Sequence, residues 1–472
     1  MFSNGKNSDP SVLMDAPDSR VAGGAPSSSK GKPQGGGLGR SMARYHRSLQ
    51  ACPPLLMRGY VKHVIGLVIE SAGPAGSIGD LCTLRDGRGR EVPAEIVGFR
   101  DDSILLMPLG EIENLRPGCE VVSYGTPLSV AVGPELLGRV VDGLGNPIDG
   151  KGPLRCTGRR KVNGRSPHPL SRTPIKDPLP TGIRAIDGLV TCGRGQRIGI
   201  FASAGVGKTI LLGQIARESA AEVNVIALIG ERGREVREFM ENILGEEGLR
   251  KSVVVVVTSD QHSLLRVKGA MTATAIAEYF RDENKDVMLF MDSITRIARA
   301  QRETGLSLGE PPATRGYTPS TFALLPRLLE RAGASDRGSI TGVYTVLVEG
   351  NDIDEPVSDA VRAILDGHVV LTRELADRGI YPAIDVLQSV SRVMPAVVER
   401  QHLQAAIKFR EYYSTYEEAR DLINLGAYSR GSNPKIDKSI ELVEAMTAFI
   451  CQGLDERAEY ARTTETLAEI VR

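Results

Sequence analysis

The chain has 472 residues, enough for two or three domains that each bury a core. Its 58 lysines and arginines are balanced by 58 aspartates and glutamates, which argues against a global basic field for nucleic acid or an anionic membrane. Six scattered cysteines with no CxxC pair argue against a zinc site or disulfide framework and fit a reducing cytoplasm. No run reaches the ~18 apolar residues of a membrane span, and the polar N-terminus lacks a secretory signal's apolar core.

Residues 1–39 are rich in Gly, Ser, Pro and Lys and read as a disordered tail. The next unit, 40–132, opens with a short helix from Ser41 to Cys52, carrying Met42, Tyr45 and Leu49 along one side. Between Arg58 and Val132 short β-branched runs (VKHVIGLVIE, EVPAEIVGF, SILLMPL, CEVVSYG) alternate with Gly, Asp and Pro, the spacing of a small antiparallel barrel. Its few aromatics, Tyr60, Phe99 and Tyr124, favour a structural collar over a nucleic-acid face.

The third unit, 133–393, contains a Pro- and Arg-rich connector at 150–180. Apolar runs then alternate with helical patterns: RIGIF, NVIALIG, SVVVVVTS, VMLFMDS, SITGVYTVLV and GHVVLT. Continuous rather than alternating apolarity predicts a mostly parallel sheet covered on both faces, with ligands at the strands' carboxyl ends. From 394 to 472 only helical patterns appear. The fold class expected is therefore α/β: a central domain with a mostly parallel sheet, an N-terminal small β-barrel and a C-terminal helical domain.

RIGIF leads into ASAGVGKT, a P-loop pattern between strand and helix. Ala202, Ser203, Ala204, Gly205, Val206, Gly207, Lys208, Thr209 and Ile210 would form the cradle for the phosphates of ATP. Small residues there let successive backbone N–H groups wrap the phosphates. Lys208 would bridge the β- and γ-phosphates, and the Thr209 hydroxyl would ligate Mg²⁺. Ala202 stands where the general pattern has glycine, and is small enough for the turn if its φ stays negative.

Asp292 ends the strand VMLFMD, where a Walker B carboxylate reaches the metal; Ser293 is available as the cap of the following helix. Glu231 ends NVIALIG and is the candidate to orient the attacking water, with Arg232 beside it as a further catalytic candidate. A surface pair between Glu231 and Arg232 or Arg234 is the plainer alternative. Arg392, in QSVSRVMP, is a candidate arginine finger, and Tyr381, in GIYPAID, a candidate to stack on adenine.

Together with IGDLC at Ile78, LLGRVVDGLGNPIDG at Leu136, TGIRAIDGLVTCGRGQRIGIF at Thr181, GERGREVREF at Gly230, MDSITRIARAQRE at Met291, GEPPATRGYTPS at Gly309 and ILDGHVVLTREL at Ile364, these motifs make the chain resemble the flagellar and type III protein-export ATPases, relatives of the rotary ATP synthase catalytic subunit. The resemblance implies that the central domain is a RecA-like P-loop ATPase domain, and in that family alanine at the first P-loop position is usual. The resemblance implies the phosphate, magnesium, water-activating, Walker B, finger and adenine roles for Lys208, Thr209, Glu231, Asp292, Arg392 and Tyr381 respectively. It further implies a homohexamer with sites between subunits, stator and stalk partners, chaperone–substrate complexes, a membrane-embedded export gate reached from the cytoplasmic face, and no nucleic acid. GSNPKID and the MDS ending point to the flagellar rather than the injectisome branch. An ATP synthase-type subunit, a Rho-like RNA translocase and a regulatory subunit that holds ATP without turnover are the competing readings.

Overall fold

Five consecutive valines, Val253–Val257, bury both faces of the strand Ser252–Thr258, so that strand must lie inside a covered sheet. Each such side chain contributes about 1.5–3 kcal/mol by leaving water. In the computed structural model, which describes residues 56–348 and 355–472 together with Met42 and Tyr45, this strand belongs to a nine-stranded sheet. Its main path runs Ile384–Ser391, Gly367–Leu371, Arg197–Ala202, Ser339–Leu347, Asp286–Asp292, Val223–Glu231, Ser252–Thr258, Arg139–Asp142. All neighbours on that path are parallel except Ile384–Ser391, which runs antiparallel to Gly367–Leu371.

Two apolar cores flank the sheet. One lies beneath the helices Ser263–Asp282, Ile294–Ser307 and Pro319–Leu329, the other beneath Lys208–Glu218 and the C-terminal helices. All six apolar runs expected to be parallel strands are strands. Two path members were not foreseen: Arg139–Asp142 is only four residues long, and Ile384–Ser391 has an interrupted burial pattern.

Strands Met57–Ile65, Val68–Ala72, Asp80–Arg85, Glu91–Arg100, Ser103–Pro108 and Glu120–Pro127 form the closed barrel expected from the sequence. VKHVIGLVIE proves to be a hairpin. Gly66, at φ 59°, supplies the left-handed turn, and Ile65 pairs with Val68. The barrel rests on helix Ser263–Asp282 through Leu264 among Val68, Leu105, Met107 and Leu109. A buried ion pair, Lys268 to Glu95 at 2.6 Å, crosses the same contact. Met42 and Tyr45 are helical; the rest of the expected Ser41–Cys52 helix and the 1–39 tail lie outside the described residues.

At the C-terminus, Met394–Val397, Arg400–Asn424, Pro434–Ile450 and Tyr460–Ile470 are helices. Phe409 stacks on Tyr413 and touches Phe449, joining the first two long helices. GSNPKID is a helix start: Asn433 accepts from Lys435 N at 3.0 Å, and Asp437 accepts from Gly431 N at 2.9 Å. That segment therefore has a local structural reason for its residues.

Candidate active site

Ala202 is the last residue of its strand, paired with Leu347 on one side and Leu371 on the other. Extended backbone is open to any residue, so this position has no conformational need for glycine. The left-handed positions come later. Gly205 has φ 83° and Gly207 φ 88°, and there the missing Cβ is required. The loop then feeds helix Lys208–Glu218, whose first-turn N–H groups have no partner within the helix.

A cleft of ≈ 390 Å³ opens above this loop, lined by Ser203, Ala204, Gly205, Gly207, Lys208, Thr209 and Ile210, and across from them by Glu231, Glu235, Asp292 and Arg296. Val206 is buried beneath the loop. The buried Lys208 ammonium pairs with Asp292 and lies 3.9 Å from Glu231 Oε1. Asp292 Oδ1 also accepts from the Thr345 hydroxyl at 2.7 Å. Ser293 takes the capping duty, accepting from Arg296 N at 3.4 Å, so Asp292 is left to the cleft.

Glu231 reaches the cleft through an irregularity. The register between its strand and Ser252–Thr258 shifts after Ile229, and Gly230 sits at φ 75°. A Cβ at 230 would also meet Arg296 at 3.0–3.2 Å. Arg296 hydrogen-bonds the Gly230 carbonyl at 2.5 Å and Glu231 Oε2 at 2.9 Å. Glu231 Oε1 is buried without a hydrogen-bond partner. Burial first, then the negative charge of Asp292, pushes the Glu231 carboxyl up to about 7. Glu235 moves the other way, its carboxyl lowered chiefly by its interaction with the neighbouring Glu231 carboxyl.

The remaining candidates fall elsewhere. Arg232 caps the next helix with its side chain turned outward, 3.6 Å from Glu235, and does not line the cleft. The half-exposed Tyr381 ring lies over the loop: a Cβ on Gly207 would stand 3.8 Å from it. Its carbonyl accepts from Gln452 N at 2.8 Å, which ties it to the C-terminal helices. Arg392 is exposed just past the edge strand Ile384–Ser391, at the amino-terminal ends of the parallel strands and so at the opposite end from the loop. Ser391 pairs with Gly367, and Gly367 with Ile198, so Arg392 lies roughly 17 Å below the loop along the strand direction. No side chain of the same fold bridges that span. Glu235, Arg296 and Thr345 went unnoticed in the sequence, although Arg296 stands in the first turn of the helix that follows Asp292.

A lysine and a threonine on a glycine-hinged loop, facing two carboxylates at parallel strand ends, define a P-loop ATPase. The chain belongs to the ATP synthase alpha/beta family: that family's nucleotide-binding domain matches residues 182–391 and its beta-barrel domain residues 61–125. Residues 398–469 match the T3SS EscN ATPase C-terminal domain. The flagellum-specific ATP synthase of Bacillus subtilis is 56% identical over 404 residues, 85% of this chain and 92% of that one. The assembled ATPase EscN of the enteropathogenic E. coli type III secretion system superposes with a TM-score of 0.84 at 44% identity, covering 88% of this chain and all of that chain. EscN in complex with its central stalk EscO gives a TM-score of 0.82 at 44% identity, over 88% of this chain and 100% of EscN. Among the described residues no helix is long and apolar enough to cross a membrane.

Proposed function

We propose that this ATPase energises protein export through a flagellar type III apparatus, hydrolysing ATP at the interfaces of a homohexameric ring to unload chaperones and feed substrates to the export gate. The observation that carries the reading is the convergence of Lys208, Asp292 and a half-satisfied Glu231 in one cleft, in a chain more than half identical to a flagellum-specific relative. The loop's N–H groups and Lys208 hold the phosphates. Glu231 Oε1 orients the attacking water, with Arg296 fixing the other oxygen. The donor set fits Mg²⁺: the Thr209 hydroxyl and Asp292 carboxylate share the cleft, and that ion takes one or two carboxylates plus substrate phosphate oxygens. Bound there, the ion would neutralise charge on the β- and γ-phosphates. Arg392 serves a neighbouring subunit's site, since its own loop is out of reach, and Tyr381 flanks the adenine.

The partners follow from the same reading: a central stalk like that of EscN, a stator protein, chaperone–substrate complexes, and peripheral association with the membrane-embedded gate at the cytoplasmic face. The injectisome reading is supported by likenesses to type III secretion ATPases at 44% and 50% identity, against 56% for the flagellar relative of Bacillus subtilis. Replacing the chromosomal copy with Glu231→Gln tests both. Loss of ATPase activity with loss of secreted hook and filament proteins supports the flagellar reading. Loss of needle components with intact motility supports the injectisome, and intact secretion of both overturns export.

A further inference from the structure

The corner that presents Arg392 is held by a buried polar network reaching into the core of the ATPase sheet. Ser391 is its hub: its hydroxyl donates to the Thr191 carbonyl at 2.8 Å and accepts from Gln196 Nε2 at 3.1 Å and from Met394 N at 3.2 Å. Gln196 is fully buried, and its Oε1 accepts from Gly193 N at 2.8 Å. The same Nε2 approaches the Asp366 carbonyl at 3.3 Å, which also accepts from Arg392 N at 3.0 Å. Asp366 is clamped in turn by Arg197, through the backbone N–H at 3.0 Å and through Nε and Nη2, each at 3.1 Å. Among the described residues, the Arg392 guanidinium hydrogen-bonds through Nη1 to the Leu365 carbonyl at 3.4 Å.

The polar groups are spent on the backbone around Arg392, and its side chain is left exposed. The Met394 N–H on the Ser391 hydroxyl alone would tie strand Ile384–Ser391 to helix Met394–Val397. Here a buried glutamine and a bidentate Asp–Arg pair also fix the carbonyl that receives the Arg392 N–H. Hydrogen bonds shared through a buried hub reinforce one another and specify one geometry.

We infer that Ser391, with Gln196 and Asp366, is a positioning residue for Arg392, setting the guanidinium for the neighbouring subunit's γ-phosphate. This rests on the trans role of Arg392 proposed above. A misplacement of about 1 Å can cost ~10²-fold in rate, so loss of the hub lowers kcat by about 10-fold or more while leaving KM for ATP nearly unchanged. Ser391→Thr, which keeps the hydroxyl, restores most of it.

The test uses mixed assemblies of the full chain. Arg392→Ala mixed with Lys208→Ala establishes the trans role by regaining ATPase activity that neither has alone. Ser391→Ala mixed with Lys208→Ala must likewise regain activity, because intact Lys208 sites then meet correctly held Arg392 side chains. Rescue in both mixtures, with the kcat-only defect of Ser391→Ala alone, supports the inference. Rescue with Arg392→Ala but not with Ser391→Ala, assembly being equal, overturns it and leaves the trans arginine standing. No rescue in either mixture removes the trans reading itself.

Discussion

Arg296 grips Glu231 by one oxygen, at 2.9 Å, and leaves the other aimed into the cleft beside Lys208. The carboxylate is thus fixed in direction while one oxygen stays available for water. Its burial and the neighbouring Asp292 charge raise its proton affinity to about 7.

Glu231→Gln should reduce turnover by about 10²–10⁴-fold with nucleotide binding retained. The wild-type kcat/KM should rise with pH through about 7, since only the ionised carboxylate accepts a proton from water. The stability sign is the reverse. A carboxyl raised from 4.5 to about 7 binds more protons folded than unfolded, so stability falls as pH rises between those values. Glu231→Gln should lack that fall, and thermal melts at pH 5 and pH 8 measure the difference.

Lys208→Ala should abolish hydrolysis and also weaken the fold. Without the ammonium, two buried carboxylates face each other, a loss on the order of 3 kcal/mol. Denaturant unfolding at pH 8 should show the drop, and adding Asp292→Asn should recover part of it; a Lys208→Ala chain as stable as wild type would count against the pairing.

The Glu95–Lys268 pair is a buried polar element of the barrel contact, with side chains 8% and 5% exposed. Lys268→Met leaves Glu95 buried with no opposite charge and should cost about 3–5 kcal/mol. Glu95→Leu combined with Lys268→Met should be near neutral. Burial already raises the Glu95 carboxyl, so the single variant should be least destabilised at low pH, where the acid is neutral. A double-mutant cycle read by urea unfolding measures the coupling.

Tyr381→Phe should leave KM for ATP almost unchanged, because the ring and not the hydroxyl faces the loop. Tyr381→Ala should weaken nucleotide binding by about 1–3 kcal/mol, the usual worth of one aromatic stacked on a base. Titration with a fluorescent ATP analogue separates the two variants.

The phosphate loop was legible because its residues are contiguous and two of its glycines are needed for φ alone. The interior strands were legible because burial on both faces leaves nothing but apolar residues, as in Val253–Val257. Arg139–Asp142 escaped because a short edge strand needs no such run. Asp292 and Glu231 could be found as strand-end carboxylates. The bulge that turns Glu231 inward, and the helical turn that brings Arg296 to it, depend on register and packing. Arg232 carried the same local signal as Glu231, yet alternation along the chain sent it to solvent.

The separation of Arg392 from its own phosphate loop bears on how the motor would be switched. If the guanidinium acts only across a subunit boundary, as proposed, turnover should climb more steeply than first order in protein concentration. A lone chain in dilute solution would then hold ATP without spending it. Local crowding of copies, rather than nucleotide supply, would start the engine.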